Sequence, residues 1–198
     1  MSDFEVLVVG AGVAGWATAL ELGRRGVRVA LVDPDPEAPA ARLGESLDWE
    51  APLLLEALGI ELDALVEAGQ ATWKRGAVAS HAALPGRFVI GERRVYRALM
   101  WMVGRAHPTA HVERGALEAA LRERALAAGA QVLTGRAARI ARDGDRIEGV
   151  ELADGRVLRA REFVDATGRA RVLGRAMGVP VEPIGPRKVA LSVRAEHA

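Results

Sequence analysis

The chain has 198 residues, half of them hydrophobic, with 27 basic and 26 acidic side chains and a formal net charge of +1. That length suits one large or two small domains with a sizeable core, and with half the residues hydrophobic and a near-neutral balance nothing points to a disordered or polyanion-binding chain. Cysteine is absent, which excludes disulfide staples, iron–sulfur clusters, a thiol nucleophile and a redox-active CxxC, so any redox work falls to a bound cofactor.

An apolar run from Phe4 to Val9 predicts a buried first strand, and GAGVAG follows from Gly10 to Gly15. An Ala/Leu-rich helical pattern then runs to Arg25, and VRVALVD, ending at Asp33, predicts the second strand. GxGxxG alone is a weak signal. Strand, glycine turn, helix and an acid at the tip of the second strand together predict a dinucleotide-binding βαβ unit. In that unit Gly10 makes the tight turn, Gly12 leaves room for a pyrophosphate, and Gly15 lets helix and strand approach closely. Val13 and Ala14 open the helix, whose free N–H groups and positive dipole end suit phosphates. Asp33 is placed to accept hydrogen bonds from a ribose diol. The alternative is a βαβ unit whose glycine-rich turn holds no ligand.

Residues 34–46, rich in Pro, Ala and Gly, predict a loop where a doubly wound fold would continue to its third strand. Two helical patterns come next, Trp49 to Leu58 and Glu61 to Ala68, with Gly59 between them. Between 71 and 104 strand-like stretches punctuated by Pro85 and Gly86 predict hairpins. From Val112 the α/β rhythm returns, with a helix from about Gly115 to Ala128, Leu117, Leu121 and Leu126 on one stripe, and Gly129 as its stop. Gln131 to Thr134 then predicts a strand, and 139–160 an antiparallel meander with turns at 143–145 and 153–155. A further apolar strand, Glu162 to Ala166, runs into ATGRAR and a short helix to Met177, and Val189 to Val193 begins another strand.

No apolar run approaches the ~20 residues needed to cross a bilayer, and the first strand begins too early to leave room for a leader. A cytoplasmic protein is expected. His107 and His111 have helical spacing, but Pro108 lies between them and nothing completes a ligand set, so no metal site is expected. His81 stands alone, and core packing is the expectation for Trp49, Trp73 and Trp101.

Gly10 to Gly15, Asp33, ARLGES at 41–46, HVERGALEAALRERALAAGA at 111–130 and VDATGRA at 164–170 occur in order. With them the chain resembles the FAD-dependent monooxygenase and tryptophan-halogenase-like superfamily over essentially its whole length. The most pointed part is GESLDWEAPLLLEALGI at 44–60, similar to the strap and following helix of halogenase-like flavoproteins. The resemblance implies an α/β fold: a Rossmann-type FAD-binding domain, a parallel sheet with a β-meander, interrupted by the start of a substrate domain. Residues 1–70 and 105–180 would form the FAD-binding part, and 71–104 with 181–198 a partial substrate-domain sheet.

The implied cofactor is FAD, and the implied chemistry is oxygen activation at reduced FAD for hydroxylation or halogenation of a small organic substrate. NAD(P)H or a separate flavin reductase would supply electrons, and neither nucleic acid nor membrane is an expected partner. Asp33 would take the adenosine ribose. Arg42 would lie near the pyrophosphate, or else is a solvated loop arginine. Gly44, Glu45 and Ser46 would form the strap, and Ser46 can also cap the next helix, with Glu50 in its first turn. Arg114 would lean on the FAD, or pairs with Glu118 at i+4. The backbone at Val132 would face the adenine, and Asp165 and Gly168 would bring the chain near the cofactor at the carboxyl edge of the sheet. No residue is assigned as catalytic.

Two departures stand out. Halogenases of this superfamily use a lysine on a strand after the strap; here Lys74 is the one lysine of that region, earlier than expected, and Arg75 to Ser80 contain none. The WxWxIP signature is missing, and so is the family's later half with its GD-containing segment, so the chain reads as the N-terminal portion. A flavin-dependent double-bond reductase of the same fold and a non-catalytic dinucleotide-binding module are the rival readings.

Overall fold

The computed structural model describes residues 3–37, 45–48, 50–74, 77–80, 87–90, 98, 101–102, 109–182 and 185. The strands are β1 (Phe4–Val9), β2 (Val29–Asp33), β3 (Glu45–Ser46), β4 (Ala71–Trp73), β5 (Ala77–Ser80), β6 (Arg87–Ile90), β7 (Ala110–Val112), β8 (Gln131–Thr134), β9 (Ala137–Asp143), β10 (Arg146–Leu152), β11 (Val157–Leu158) and β12 (Ala160–Asp165). The helices are α1 (Val13–Arg24), α2 (Ala51–Ala57), α3 (Leu62–Glu67), α4 (Arg114–Ala127) and α5 (Val172–Ala176), with a 3-10 turn at Gly168–Ala170 just before α5. Two compact units result, Met1–Ala38 with Ala125–Ala198, and Pro39–Arg124.

In the first unit a four-stranded parallel sheet has the order β12-β1-β2-β8. Its inner strands are buried on both faces, which is why they read as unbroken apolar runs. Period-two alternation divides them: Leu7, Val9, Ala30 and Val32 face a core shared with Val150, Leu152 and Leu158 of the meander and Leu173 of α5. Helix α1 packs on β1 and β2 and buries Trp16, Ala19 and Leu20. The meander β9-β10-β11 is antiparallel, as expected from its DGD and ADG turns. Strand β8 pairs with β2 in parallel, so everything from 34 to 130 is inserted between two neighbours of the sheet.

The second unit contains a three-stranded antiparallel sheet, β3-β7-β4, and the hairpin β5-β6. The predicted helix from Trp49 begins two residues later, at Ala51. An Asp48 carboxylate oxygen accepts the N–H groups of Glu50 at 3.0 Å and Ala51 at 2.9 Å, so Asp48 holds this first turn. Ser46 is instead a strand residue opposite His111.

Two packing expectations are corrected. Ala125 is fully buried below Leu117 and Leu121, whereas Leu126 is 43% exposed; steps of four keep a residue on one helical face and a step of five does not. Trp101 is 73% exposed and so is not a core residue. Arg42, Gly44, Trp49, His81, His107 and the strand expected at 189–193 lie outside the described residues.

Candidate dinucleotide site

In the first unit the glycine-rich loop links the carboxyl end of β1 to α1. Gly10 has φ +108°, and a Cβ there would stand 2.5 Å from the Ala166 carbonyl oxygen. A Cβ on Gly15 would stand 1.9 Å from the Gly10 carbonyl oxygen. Both positions therefore require glycine for the fold itself. Gly12 differs: its φ of −83° and ψ of −176° are ordinary extended values, so its backbone makes no such demand. It precedes α1, whose first turn takes no side-chain cap, and the N–H groups of that turn have no intrahelical acceptors. A glycine ahead of a helix start that no side chain caps is suited to an anion.

Asp33 ends β2 beside this loop. One carboxylate oxygen accepts the Ala11 N–H at 2.9 Å and the other accepts the Asp35 N–H at 2.9 Å. A carboxylate has about four lone-pair positions, so capacity remains for a diol while the backbone bonds fix the orientation. Val132 lies on β8, the terminal strand of the sheet order, in register with Leu31.

At the end of β12, Ala166 donates its N–H to the Val9 carbonyl at 2.8 Å, and Gly168, at φ +58°, turns the chain back. Asp165 is exposed at this edge, and its carboxylate is engaged by the protein's own donors. One of its carboxylate oxygens accepts the Thr167 N–H at 3.1 Å and the Thr167 hydroxyl at 2.5 Å, and the other accepts the Gly174 N–H at 2.9 Å. Burial pushes its carboxyl up, but these bonds, with a further one from the Leu173 N–H, outweigh it and hold the group below the usual carboxylate range.

In the second unit β3 pairs with β7, with Glu45 in register with Val112. Thr109 is the buried polar residue among those described, 2% exposed. Its hydroxyl lies 2.7 Å from the Leu47 carbonyl oxygen and 2.9 Å from that of Asp48, and donates into this pair. The Lys74 ammonium, next after β4, donates to the same Leu47 carbonyl. Burial makes the Lys74 amine less basic than usual, with the Asp48 carboxylate opposing the shift. Arg114 pairs with Glu118 at 2.9 Å, the i+4 partner its spacing allows. No group of three or more His, Asp or Glu suited to a metal occurs among the described residues, and no described helix is long and apolar enough to cross a membrane.

The structure thus brings Gly10 to Gly15, Asp33, Asp165 and Gly168 to one edge of one sheet. Sequence reading missed Ala11, whose N–H ties the loop to Asp33, and Ala166, which forms the floor beneath Gly10. It also missed Thr109; a threonine ahead of a short apolar run carries no mark of burial.

A parallel sheet with a meander on one face, a glycine-rich turn and an acid on the second strand define a dinucleotide-binding flavoprotein fold of the FAD-dependent monooxygenase and halogenase-like kind. Residues 5–183 match the model of the lycopene cyclase protein family, and the chain belongs to that family. The halogenase-like motifs single out the same FAD-dependent superfamily without singling out this member of it. Rifampicin monooxygenase of Streptomyces venezuelae is 31% identical over 188 residues, covering 91% of this chain and 35% of that protein. Among solved structures, the flavin-dependent halogenase Xcc4156 of Xanthomonas campestris superposes with a TM-score of 0.72 at 22% identity, covering 89% of this chain and 45% of that one. PqsL of P. aeruginosa, solved with 2-aminobenzoylacetate, gives 0.69 at 26% identity, covering 92% and 48%. Curated relatives are matched over 15% to 43% of their own length, so the chain spans less than half of each.

Proposed function

We propose that this chain supplies the dinucleotide-holding part of an FAD-dependent oxidoreductase, in which oxygen is activated at reduced flavin and delivered to a small organic substrate by hydroxylation or halogenation. The observation that carries the reading is the Asp33 carboxylate locked beside a glycine loop whose Gly12 the backbone does not require. Family membership and the monooxygenase and halogenase likenesses support the rest. In this reading Gly10, Gly12, Val13, Ala14 and Gly15 cradle the pyrophosphate and Asp33 accepts the adenosine ribose hydroxyls. The β8 backbone at Val132 meets the adenine, Gly168 turns the chain beneath the cofactor, and Arg42, Gly44, Glu45, Ser46 and Arg114 belong to the strap and its surroundings. FAD, when bound, supplies the electron transfer to oxygen. The chain's own residues bind and orient it, and NAD(P)H or a separate flavin reductase provides the reducing equivalents.

Lys74, which comes earlier than the halogenase lysine and donates to the Leu47 carbonyl, is the one lysine of that region on which a halogenation arm could draw. The family's own name favours a second reading, ring closure on a polyene such as lycopene. Oxygen uptake separates the two: monooxygenation or halogenation consumes oxygen with each reductive turnover, and ring closure consumes none. Flavin released from the purified protein on denaturation should be FAD, and recovery of NAD in its place overturns the proposal.

A further inference from the structure

We infer that Asp165 is a positioning residue for the glycine-rich loop: its carboxylate fixes the turn at 166–168 against which Gly10 and Gly15 pack, and thereby sets where α1 begins. The role of that loop in holding phosphates rests on the flavin reading above. The contact chain is short. Ala166 bonds to Val9 through its N–H at 2.8 Å, and its carbonyl oxygen lies where a Gly10 Cβ would be 2.5 Å away. Its methyl lies 3.4 Å from the Cβ position of Gly15. Ala166 has no side-chain means of holding itself there, so its placement depends on the residues either side.

Asp165 supplies that hold from both directions. Its first oxygen takes the N–H and hydroxyl of Thr167, and its second takes the N–H of Gly174 in α5. The Thr167 hydroxyl in turn accepts the Val172 N–H at 2.9 Å. One carboxylate therefore closes both ends of the loop from 166 to 173. Within that loop Arg171 adopts φ +47°, a left-handed conformation costly for a residue with a side chain, and its guanidinium donates to the Val179 carbonyl at 2.7 Å. Such a backbone persists only where its surroundings over-determine it. Because four of the protein's own donors, two from Thr167 with one each from Gly174 and Leu173, take up the roughly four lone-pair positions of the Asp165 carboxylate, the residue acts through Thr167 and Ala166 and not by touching a ligand.

The test is calorimetric titration of FAD into the wild-type chain, Asp165→Asn, Thr167→Val, Thr167→Ser and the Asp165→Asn/Thr167→Val double variant, at a temperature where circular dichroism shows all of them folded. Asp165→Asn turns an NH2 toward backbone donors, and Thr167→Val removes the bridging hydroxyl; each should weaken FAD binding about tenfold or more. Thr167→Ser keeps the hydroxyl and should stay within about twofold. The double variant should be little weaker than the worse single one, because both act through one clasp. An unchanged dissociation constant in the single variants overturns the inference, since a merely structural role lowers only the melting temperature. Additive losses also overturn it, because they assign Asp165 a ligand contact of its own. Should Asp165→Asn fail to fold, the Thr167 pair carries the comparison. Hydrogen exchange without ligand gives a second readout: the Gly10 and Ala166 amides should exchange about tenfold faster in Asp165→Asn and Thr167→Val. If the wild-type chain takes up no FAD, the flavin reading fails, and unchanged exchange at these two amides then overturns the positioning role separately.

Discussion

In the first unit Leu7, Val8, Ala30 and Leu31 are fully buried, and the candidate site is built mainly of backbone: a glycine turn, a helix start and two strand ends. In the second unit the strands β3, β4 and β7 are two or three residues long, and polar side chains, Thr109 and Lys74, take hold of the Leu47 carbonyl. A site made of backbone is fixed by the burial of the strands that carry it. A sheet of such short strands leans on individual side chains. Substitutions that crowd the packed backbone of the first unit should therefore act all or none, and those in the second should act locally and by degree.

The largest effect is expected at Gly15→Val. Its Cβ would meet the Gly10 carbonyl oxygen at 1.9 Å, and neither backbone can move without parting α1 from β1. Overpacking of this kind costs about 3 kcal/mol or more against a total stability of about 5–15 kcal/mol. Loss of the cooperative thermal transition in circular dichroism checks it, and a wild-type melting curve would contradict the packing described.

Gly12→Val should separate folding from binding. Valine tolerates extended φ and ψ, so the melting temperature should hold while FAD retention is abolished. Equal flavin occupancy in variant and parent would show that the phosphates lie elsewhere.

Asp33→Ala should weaken FAD binding by roughly one to three orders of magnitude, from charge-assisted hydrogen bonds of about 1.5–3 kcal/mol at 1.4 kcal/mol per decade. FMN, which lacks the adenosine ribose, should lose much less. Equal losses for both flavins would assign Asp33 to holding Ala11 alone.

On the other side of the comparison, Thr109→Val leaves the Leu47 and Asp48 carbonyls without their hydroxyl partner and should destabilise this sheet by about 1–3 kcal/mol. Faster hydrogen exchange at the Leu47 amide, which bonds to Ala110 at 3.0 Å, would register it, with the amides of β1 and β2 unchanged. Spread of the effect into β1 would erase the distinction between the units.

The smallest effect concerns pH. The Asp165 carboxyl is held below its ordinary value, so the folded state binds fewer protons there than the unfolded chain. Its contribution is fully present above the unfolded value of about 3.9 and is lost as pH falls below it. Melting temperatures between pH 7 and pH 3 should fall less steeply in Asp165→Asn than in the parent; parallel curves would show that this carboxylate contributes nothing to the acid transition.

The first unit was legible in the sequence because its requirements are steric. Gly10 and Gly15 cannot be anything else, and the buried strands announce themselves as apolar runs that need no partner to be recognised. The insertion between β2 and β8 was legible too, from the failure of a third strand to appear where it is due. The second unit was harder. Ser46 and Asp48 are both good capping residues two positions apart, and only the pairing of Ser46 with His111 decides between them. Leu126 outranks Ala125 in hydrophobicity, yet helical phase buries the alanine. Thr109 gave no signal, because its burial follows from β7 lying between β3 and β4, a pairing of residues far apart in the chain.

The central claim is that Gly10 to Gly15 with Asp33 hold the dinucleotide half of FAD, and calorimetric titration of the purified chain with FAD, FMN and NAD tests it most directly. Saturable binding of FAD in preference to FMN and NAD, lost in Gly12→Val, is the expected result. Binding of NAD in preference to FAD, or FAD binding unaltered by Gly12→Val, would contradict it.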